Sequence, residues 1–177
     1  MEKLAVFVDL DGTLVREDTT VVALLNLIKK KPYLLPSLCF SLLKGRSHLK
    51  HEISKNLYID ISKLTVNEPV LEYIKELKNN GHTLYLASGT LFQIAQMVAD
   101  KVGIFHSVIA TTEAVNMVSA NKKKAIKAIA PKYMYLGNSR ADLKVWDEAT
   151  KIVIVSKSNS LLNKVKAMNI PYKHFAI

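Results

Sequence analysis

A chain of 177 residues, 49% of them hydrophobic, is long enough for one domain with a real core and a small appendage, and its composition carries no collagen-like or low-complexity signal. Its single cysteine, Cys39, excludes an internal disulfide and fits a reducing compartment; set in an apolar run, it reads as a small core residue. A net charge of +10 permits attraction to phosphates, nucleic acid or an anionic membrane. The lysines are scattered apart from Lys29-Lys30-Lys31 and Lys122-Lys123-Lys124, and no basic stripe with interleaved aromatics marks a nucleic-acid binder.

The first element is the apolar run Leu4 to Val8, a predicted buried strand that ends in Asp9-Leu10-Asp11-Gly12-Thr13. In open α/β sheets, ligands bind beyond the carboxyl ends of strands. Alternate residues of an extended segment share a face. Asp9 and Asp11 would therefore repel unless a cation lies between them or a proton is shared. Gly12 lets the backbone leave the strand at an angle other residues resist, and Thr13 can cap or donate in the turn. The initial run is too short and too soon acidic for a signal peptide, and no apolar run is long enough to span a bilayer, so a cytoplasmic protein is expected.

Residues 16–66 read as helices without a convincing strand. Asp18-Thr19-Thr20 offers a cap for a helix over Val21–Lys31, which Pro32 ends. Tyr33 to Leu43 is nearly all apolar and is followed by Lys44-Gly45-Arg46. Internal packing is the first expectation for it, with a partner or a lipid interface as the alternatives. Ser47 is expected to cap a third helix over residues 47–58, with His48 and His51 on its solvated face.

The pattern then alternates. Helices are expected over residues 65–79, 91–102, 122–130, 141–149 and 160–168. Strands are expected over 82–87, 108–111, 133–136 and 151–155, with a short tail after the last helix. Such alternation argues for a parallel sheet. Three strand ends carry small or polar residues: Asp9 and Asp11, then Ser88-Gly89-Thr90, then Gly137-Asn138-Ser139 with Asp142. In a parallel sheet these ends lie on one edge. A hydroxyl and glycine amides at a helix start suit an anion, oxygen ligands suit Mg2+, and a lysine among Lys122, Lys123 and Lys124 can neutralise the remaining charge.

These four segments resemble the motifs of the haloacid dehalogenase superfamily of phosphohydrolases. More narrowly, Val8-Asp9-Leu10-Asp11-Gly12-Thr13-Leu14-Val15 and the 137–146 segment are similar to the phosphatase-like domain fused to membrane prenyltransferases of the ubiquinone-biosynthesis type. The resemblance implies an α/β, Rossmann-like three-layer core over residues 1–15 and 67–177, with a small all-helical cap over 16–66. It implies a Mg2+-dependent phosphomonoester hydrolase working through an aspartyl-phosphate. Asp9 would be the nucleophile and Asp11 the general acid and base. Ser88 and Gly89 would hold the phosphoryl oxygens. Lys124 would steady Asp9, because Asn121-x-x-Lys124 best mimics the family's Gly-x-x-Lys, and Asp9, Asp11, Asn138 and Asp142 would hold the metal.

Position 138 departs from the family, which usually has Asp there; Asn brings an oxygen but no charge. The rival reading is a catalytically weak binding or regulatory module associated with a membrane or a prenyltransferase. A dehalogenase is disfavoured, since that chemistry needs no metal and the paired acids suit one. The expected partner is a small-molecule phosphate ester. Arg140, just after the metal segment, reads equally as a substrate contact or a surface charge, and Trp146 reads as core.

Overall fold

The computed structural model describes residues 3–112 and 114–177, apart from the side chains of Arg46 and Ser47. Six parallel strands form one sheet in the order β3-β2-β1-β4-β5-β6. They are β1 (Ala5–Val8), β2 (Thr83–Leu91), β3 (Ser107–Thr111), β4 (Tyr133–Gly137), β5 (Lys151–Val155) and β6 (Tyr172–Phe175). Between them run α1 (Thr19–Lys30), α2 (Leu35–Leu43), α3 (Arg46–Lys55), α4 (Glu68–Asn79), α5 (Phe92–Val102), α6 (Ala120–Ile129), α7 (Leu143–Trp146) and α8 (Asn159–Lys166).

Alternate strand residues face opposite ways, and each face is covered. Val6, Val8, Leu84, Leu86, Met134 and Leu136 pack beneath α4 and α5, through Val70, Ile74, Ala95 and Val98. Phe7, Tyr133, Tyr135, Ile152 and Ile154 pack beneath α6, α7 and α8, through Ile126, Trp146, Leu161 and Val165. The expected three-layer α/β core is therefore present. Strand order reverses between β1 and its neighbours β2 and β4, so the ends of these three strands form the crevice where α/β sheets hold ligands.

Helices α1, α2 and α3 lie between β1 and β2. They share an apolar cluster of Ala23, Leu27, Leu38 and Ile53 that continues into Leu91 and Ile94 of the β2–α5 segment. The insertion leaves and rejoins the core through a closed stem. Val15 bridges Val66, the Arg16 amide donates to the Thr65 carbonyl at 2.9 Å, and Asn67 Nδ2 donates to the Thr13 carbonyl at 2.7 Å.

Several expectations are corrected here. The tail is not structureless: Tyr172–Phe175 adds the edge strand β6 to β5. Strand β2 runs through Ser88-Gly89-Thr90 to Leu91, with its register against β3 shifting between Ala87 and Leu91. Helix α3 starts at Arg46 with Gly45, at φ +113°, in the capping position; the expected Ser47 cap rests on a side chain outside the described residues. Cys39 is exposed rather than core. The apolar 33–43 stretch packs internally only in part: Leu38 enters the cluster with Leu34 beside it, and within α2 only Leu38 and Ser41 are buried.

Candidate active site

Backbone geometry beyond β1 places the first acids. The Asp9 amide donates to the Leu136 carbonyl at 2.9 Å, which extends the β1–β4 ladder by one residue. The chain then turns: the amides of Thr13, Leu14 and Val15 all donate to the Leu10 carbonyl. Asp9 thus follows the end of β1 and Asp11 lies within the turn, so the two are not alternate residues of one strand. Gly12 has φ +69°, and a Cβ there would stand 2.0 Å from Asn138 Nδ2. Glycine is required twice over, for the left-handed backbone and for the close passage of Asn138.

Asp9 is buried, and its Oδ1 accepts a hydrogen bond from Lys122 Nζ at 2.9 Å. Lys122 also donates to the Tyr135 hydroxyl at 2.8 Å, and that hydroxyl donates to Asp142 Oδ1 at 2.8 Å. Lys122 stands 3.7 Å from the same Asp142 oxygen. Asp142 Oδ2 accepts from the Asn138 amide, the Ser139 amide and the Ser139 hydroxyl, closing a capping box at the turn after β4.

The three consecutive lysines have three fates. Lys122 points into the core, on the same side of α6 as Ile126. Lys123 pairs with Asp147 and Glu148 at the surface. Lys124, the lysine expected to steady Asp9, is exposed. Its expected position is taken by Lys122, because only Lys122 shares the buried helix face.

Burial raises Asp9 from its ordinary 3.8 to about 7, against the pull of Lys122 and with help from Asp142 and Asp11. Burial also raises Asp11, although the Thr19 amide donates to its Oδ1 at 2.8 Å. Burial alone would lower Lys122, but Asp9 and Asp142 more than reverse this and hold it charged. Burial, then Asp142, drives the Tyr135 hydroxyl well above 10, so it stays a neutral donor.

A carboxylate raised by folding contributes stability that is fully present below its unfolded value of 3.8 and lost as pH rises through about 7. Asp9→Asn removes this dependence. In chelator, the melting temperature of the wild type is therefore expected to fall relative to that of Asp9→Asn between pH 5 and 8. Parallel thermal melts check this, and a constant difference would contradict it.

Ser88 is fully buried, its Oγ accepting from the Thr90 amide at 3.1 Å. Val118 Cγ2 stands 3.0 Å from where a Cβ on Gly89 would lie. The Gly89 carbonyl accepts from Thr111 Oγ1 at 2.7 Å and from Lys50 Nζ of α3 at 2.5 Å. Thr90 Oγ1 lies 2.8 Å from Thr19 Oγ1, which links the Ser88 segment to the start of α1 and through Thr19 to Asp11. Where α3 faces the start of α5 lies a cleft of about 560 Å³, lined by His48, Lys50 and His51 on one side and by Phe92 and Thr111 on the other. The two histidines, expected on a solvated face, thus border the cleft.

Among the described residues, no three His, Cys, Asp or Glu side chains converge as a metal cluster. The oxygen donors still fit a hard cation. Among the described residues no hydrogen bond engages Asp9 Oδ2, and the Asn138 amide crosses the space that a side chain at Gly12 would fill. Asp9, the Asp11 backbone and the Asn138 side chain would offer oxygen donors of low total charge, a donor chemistry that suits Mg2+ carrying water. Asp142, expected as a ligand, has both oxygens engaged by protein donors and braces the Asn138 turn.

Sequence reasoning brought Asp9, Asp11, Asn138 and Asp142 to one place and missed Tyr135, Thr19 and Lys122's precedence over Lys124. The signal for Tyr135 was weak: a phenol in the middle of a buried strand needs a partner for its hydroxyl. Arg140 is exposed, and Trp146 is buried as expected, its Nε1 donating to the Tyr135 carbonyl at 3.3 Å.

Comparison with known proteins gives consistent findings. The family model for haloacid dehalogenase-like hydrolases matches residues 6–146. An apo structure of phosphoserine phosphatase is similar over 99% of this chain and 94% of its own, with a TM-score of 0.67 and 18% identity. A Bordetella pertussis Tohama I protein of unknown function is similar over 97% and 98%, with a TM-score of 0.70 and 12% identity. The uncharacterized protein y4nM of Sinorhizobium fredii (strain NBRC 101917 / NGR234) is 26% identical over 95% of the chain, which spans only 33% of that relative's length.

Proposed function

The chain belongs to the haloacid dehalogenase-like hydrolase family, and we propose that within it the chain is a Mg2+-dependent phosphomonoester hydrolase with Asp9 as nucleophile. One observation carries this reading. Asp9 is fixed through Oδ1 by a buried lysine, while no described hydrogen bond engages Oδ2, the oxygen left for attack on phosphorus. A structural carboxylate in a core would have both oxygens satisfied, as Asp142 does.

The residues then take these roles. Asp9 attacks in line, and the bond from phosphorus to the ester oxygen breaks. Asp11, raised by burial, gives its proton to the departing oxygen. It then takes a proton from the water that attacks the aspartyl-phosphate, and phosphate and free Asp9 result. Ser88 and the Gly89 amide orient the phosphoryl oxygens. Lys122 holds Asp9 and offsets charge on the transferring group. Mg2+, held by Asp9, the Asp11 backbone and Asn138, would supply charge neutralisation when bound. The helices of residues 16–66 act as the cap. The cleft beside α3, with Lys50 and two histidines on its wall, suits an ester whose leaving group is polar or anionic.

The rival reading, a binding module with little turnover, draws on Asn138. It brings no charge, and Asp142 is too engaged to replace it. The two readings separate on one observable. Acid quench during turnover of an aryl phosphate, followed by peptide mapping, is expected to find a phosphoryl group on the peptide containing Asp9. Turnover with the label on another residue would overturn the assignment of the nucleophile.

A further inference from the structure

Helix α2 has the composition of a core helix and the exposure of a surface one. Its sequence is Leu35-Pro36-Ser37-Leu38-Cys39-Phe40-Ser41-Leu42-Leu43, and only Leu38 and Ser41 are buried. Leu38 anchors it to the cluster shared by α1 and α3. The remaining circumference faces outward. Leu35, Cys39 and Leu42 follow one another at helical spacing, and so do Pro36, Phe40 and Leu43. Phe40 is 59% exposed and Leu43 85%, and Tyr33 in the preceding turn is 72% exposed. Scattered apolar residues on a surface are ordinary, but an apolar helix with most of its circumference bare marks an interaction surface.

The surrounding charge selects the partner. Between Asp18 and Glu52 the chain has no acidic residue and six basic ones: Lys29, Lys30, Lys31, Lys44, Arg46 and Lys50. Five of them bracket α2, three at the end of α1 and two just after Leu43. Among the described residues, no ion pair engages Lys29, Lys30, Lys31 or Lys44; Lys31 Nζ donates to Asn56 Oδ1 at 2.9 Å and Lys30 Nζ lies over the Tyr58 ring, neutral contacts that leave each charge uncancelled. Lys44 Nζ stands over the Phe40 ring, 4.3 Å from its centre, so one of the bracketing charges lies directly beside the apolar face. A protein groove built for an apolar helix need carry no negative charge. An anionic bilayer surface offers both parts at once, acyl chains for Phe40 and Leu43 and phosphate groups for the bracketing lysines. Nine residues cannot cross a bilayer, and no described helix is long and apolar enough to do so, so α2 would lie in the interface.

We propose that α2 and its bracketing lysines dock the chain on the surface of an anionic membrane, with Phe40, Leu42 and Leu43 in the acyl boundary. The inference rests on this surface alone and stands or falls apart from the reading of the active site.

The test is flotation of the full chain with vesicles of phosphatidylcholine alone and of an equal mixture of phosphatidylcholine and phosphatidylglycerol. Binding to the mixed vesicles is expected, with little binding to the neutral ones and loss of binding as salt rises. The double variant Phe40→Ser/Leu43→Ser, and separately Lys29→Gln/Lys44→Gln, should each weaken partitioning by about tenfold or more. Both should keep the wild-type melting temperature, since the changed groups pack little in the folded chain. Absence of flotation would overturn the proposal, as would flotation unaffected by the Phe40→Ser/Leu43→Ser change. So would a wild-type dimer in sedimentation that the same change dissolves and that does not bind vesicles, because a second copy would then cover α2.

Discussion

Replacing Asp9 by Asn is expected to lower aryl phosphate turnover by on the order of 10³-fold or more, with the fold retained. The substitution keeps size and shape at a position enclosed by β1, β4 and Lys122, and it replaces the anionic carboxylate that attacks phosphorus with a neutral, weakly nucleophilic amide. Lys122 keeps Asp142 as a countercharge at 3.7 Å and Tyr135 as an acceptor at 2.8 Å, so no buried charge is left alone. Turnover by purified wild type and variant, with melting curves alongside, separates loss of chemistry from loss of fold. An Asp9→Asn chain that retains turnover would remove Asp9 from the reaction.

The second large effect concerns the lysine. Lys122→Met leaves Asp9 and Asp142 buried together without a cation. Uncompensated charges of this kind cost about 3–5 kcal/mol, which denaturant titration can read. Turnover should fall with it. Lys124→Ala, two residues away on the exposed side of α6, should stay within about 0.5 kcal/mol of wild type and keep its activity. The pair of variants is the control, since both remove one positive charge from one helix. The reverse pattern would mean that α6 is turned differently from the geometry described here.

The sheet was legible because its strands are apolar runs that stop at small or polar residues. Tyr133 to Gly137 and Lys151 to Val155 could hardly read otherwise. Strand β6 was not legible. Tyr172-Lys173-His174-Phe175 pairs only with β5 and stays half-exposed, so it needs no apolar run. The four acidic and amide positions of the site were legible because topology alone brings strand ends to one edge. The choice among three lysines was not, because motif spacing ignores helix phase. The phase was available in the sequence: Lys122 lies four residues before Ile126, and both are buried on α6. Helix α2 misled for a related reason. An apolar sequence records that a surface avoids water; it does not record whether the chain itself supplies the cover.

Thr19 and Tyr135 show what sequence patterns leave out. Each is a common residue in an ordinary element, and each becomes part of the site through one hydrogen bond, Thr19 to Asp11 and Tyr135 to Asp142. Such contacts connect residues that no local motif joins.

If Asp9, fixed by Lys122, is the working end of a metal-assisted phosphatase, turnover must depend on the metal. The most direct measurement is hydrolysis of an aryl phosphate by the wild-type chain with Mg2+ and with chelator. Turnover is expected to require the metal and to return when Mg2+ is restored after chelation. Turnover that is indifferent to Mg2+ would remove the metal from the reaction, and none at any Mg2+ concentration while Asn138→Asp gains it would favour a binding module.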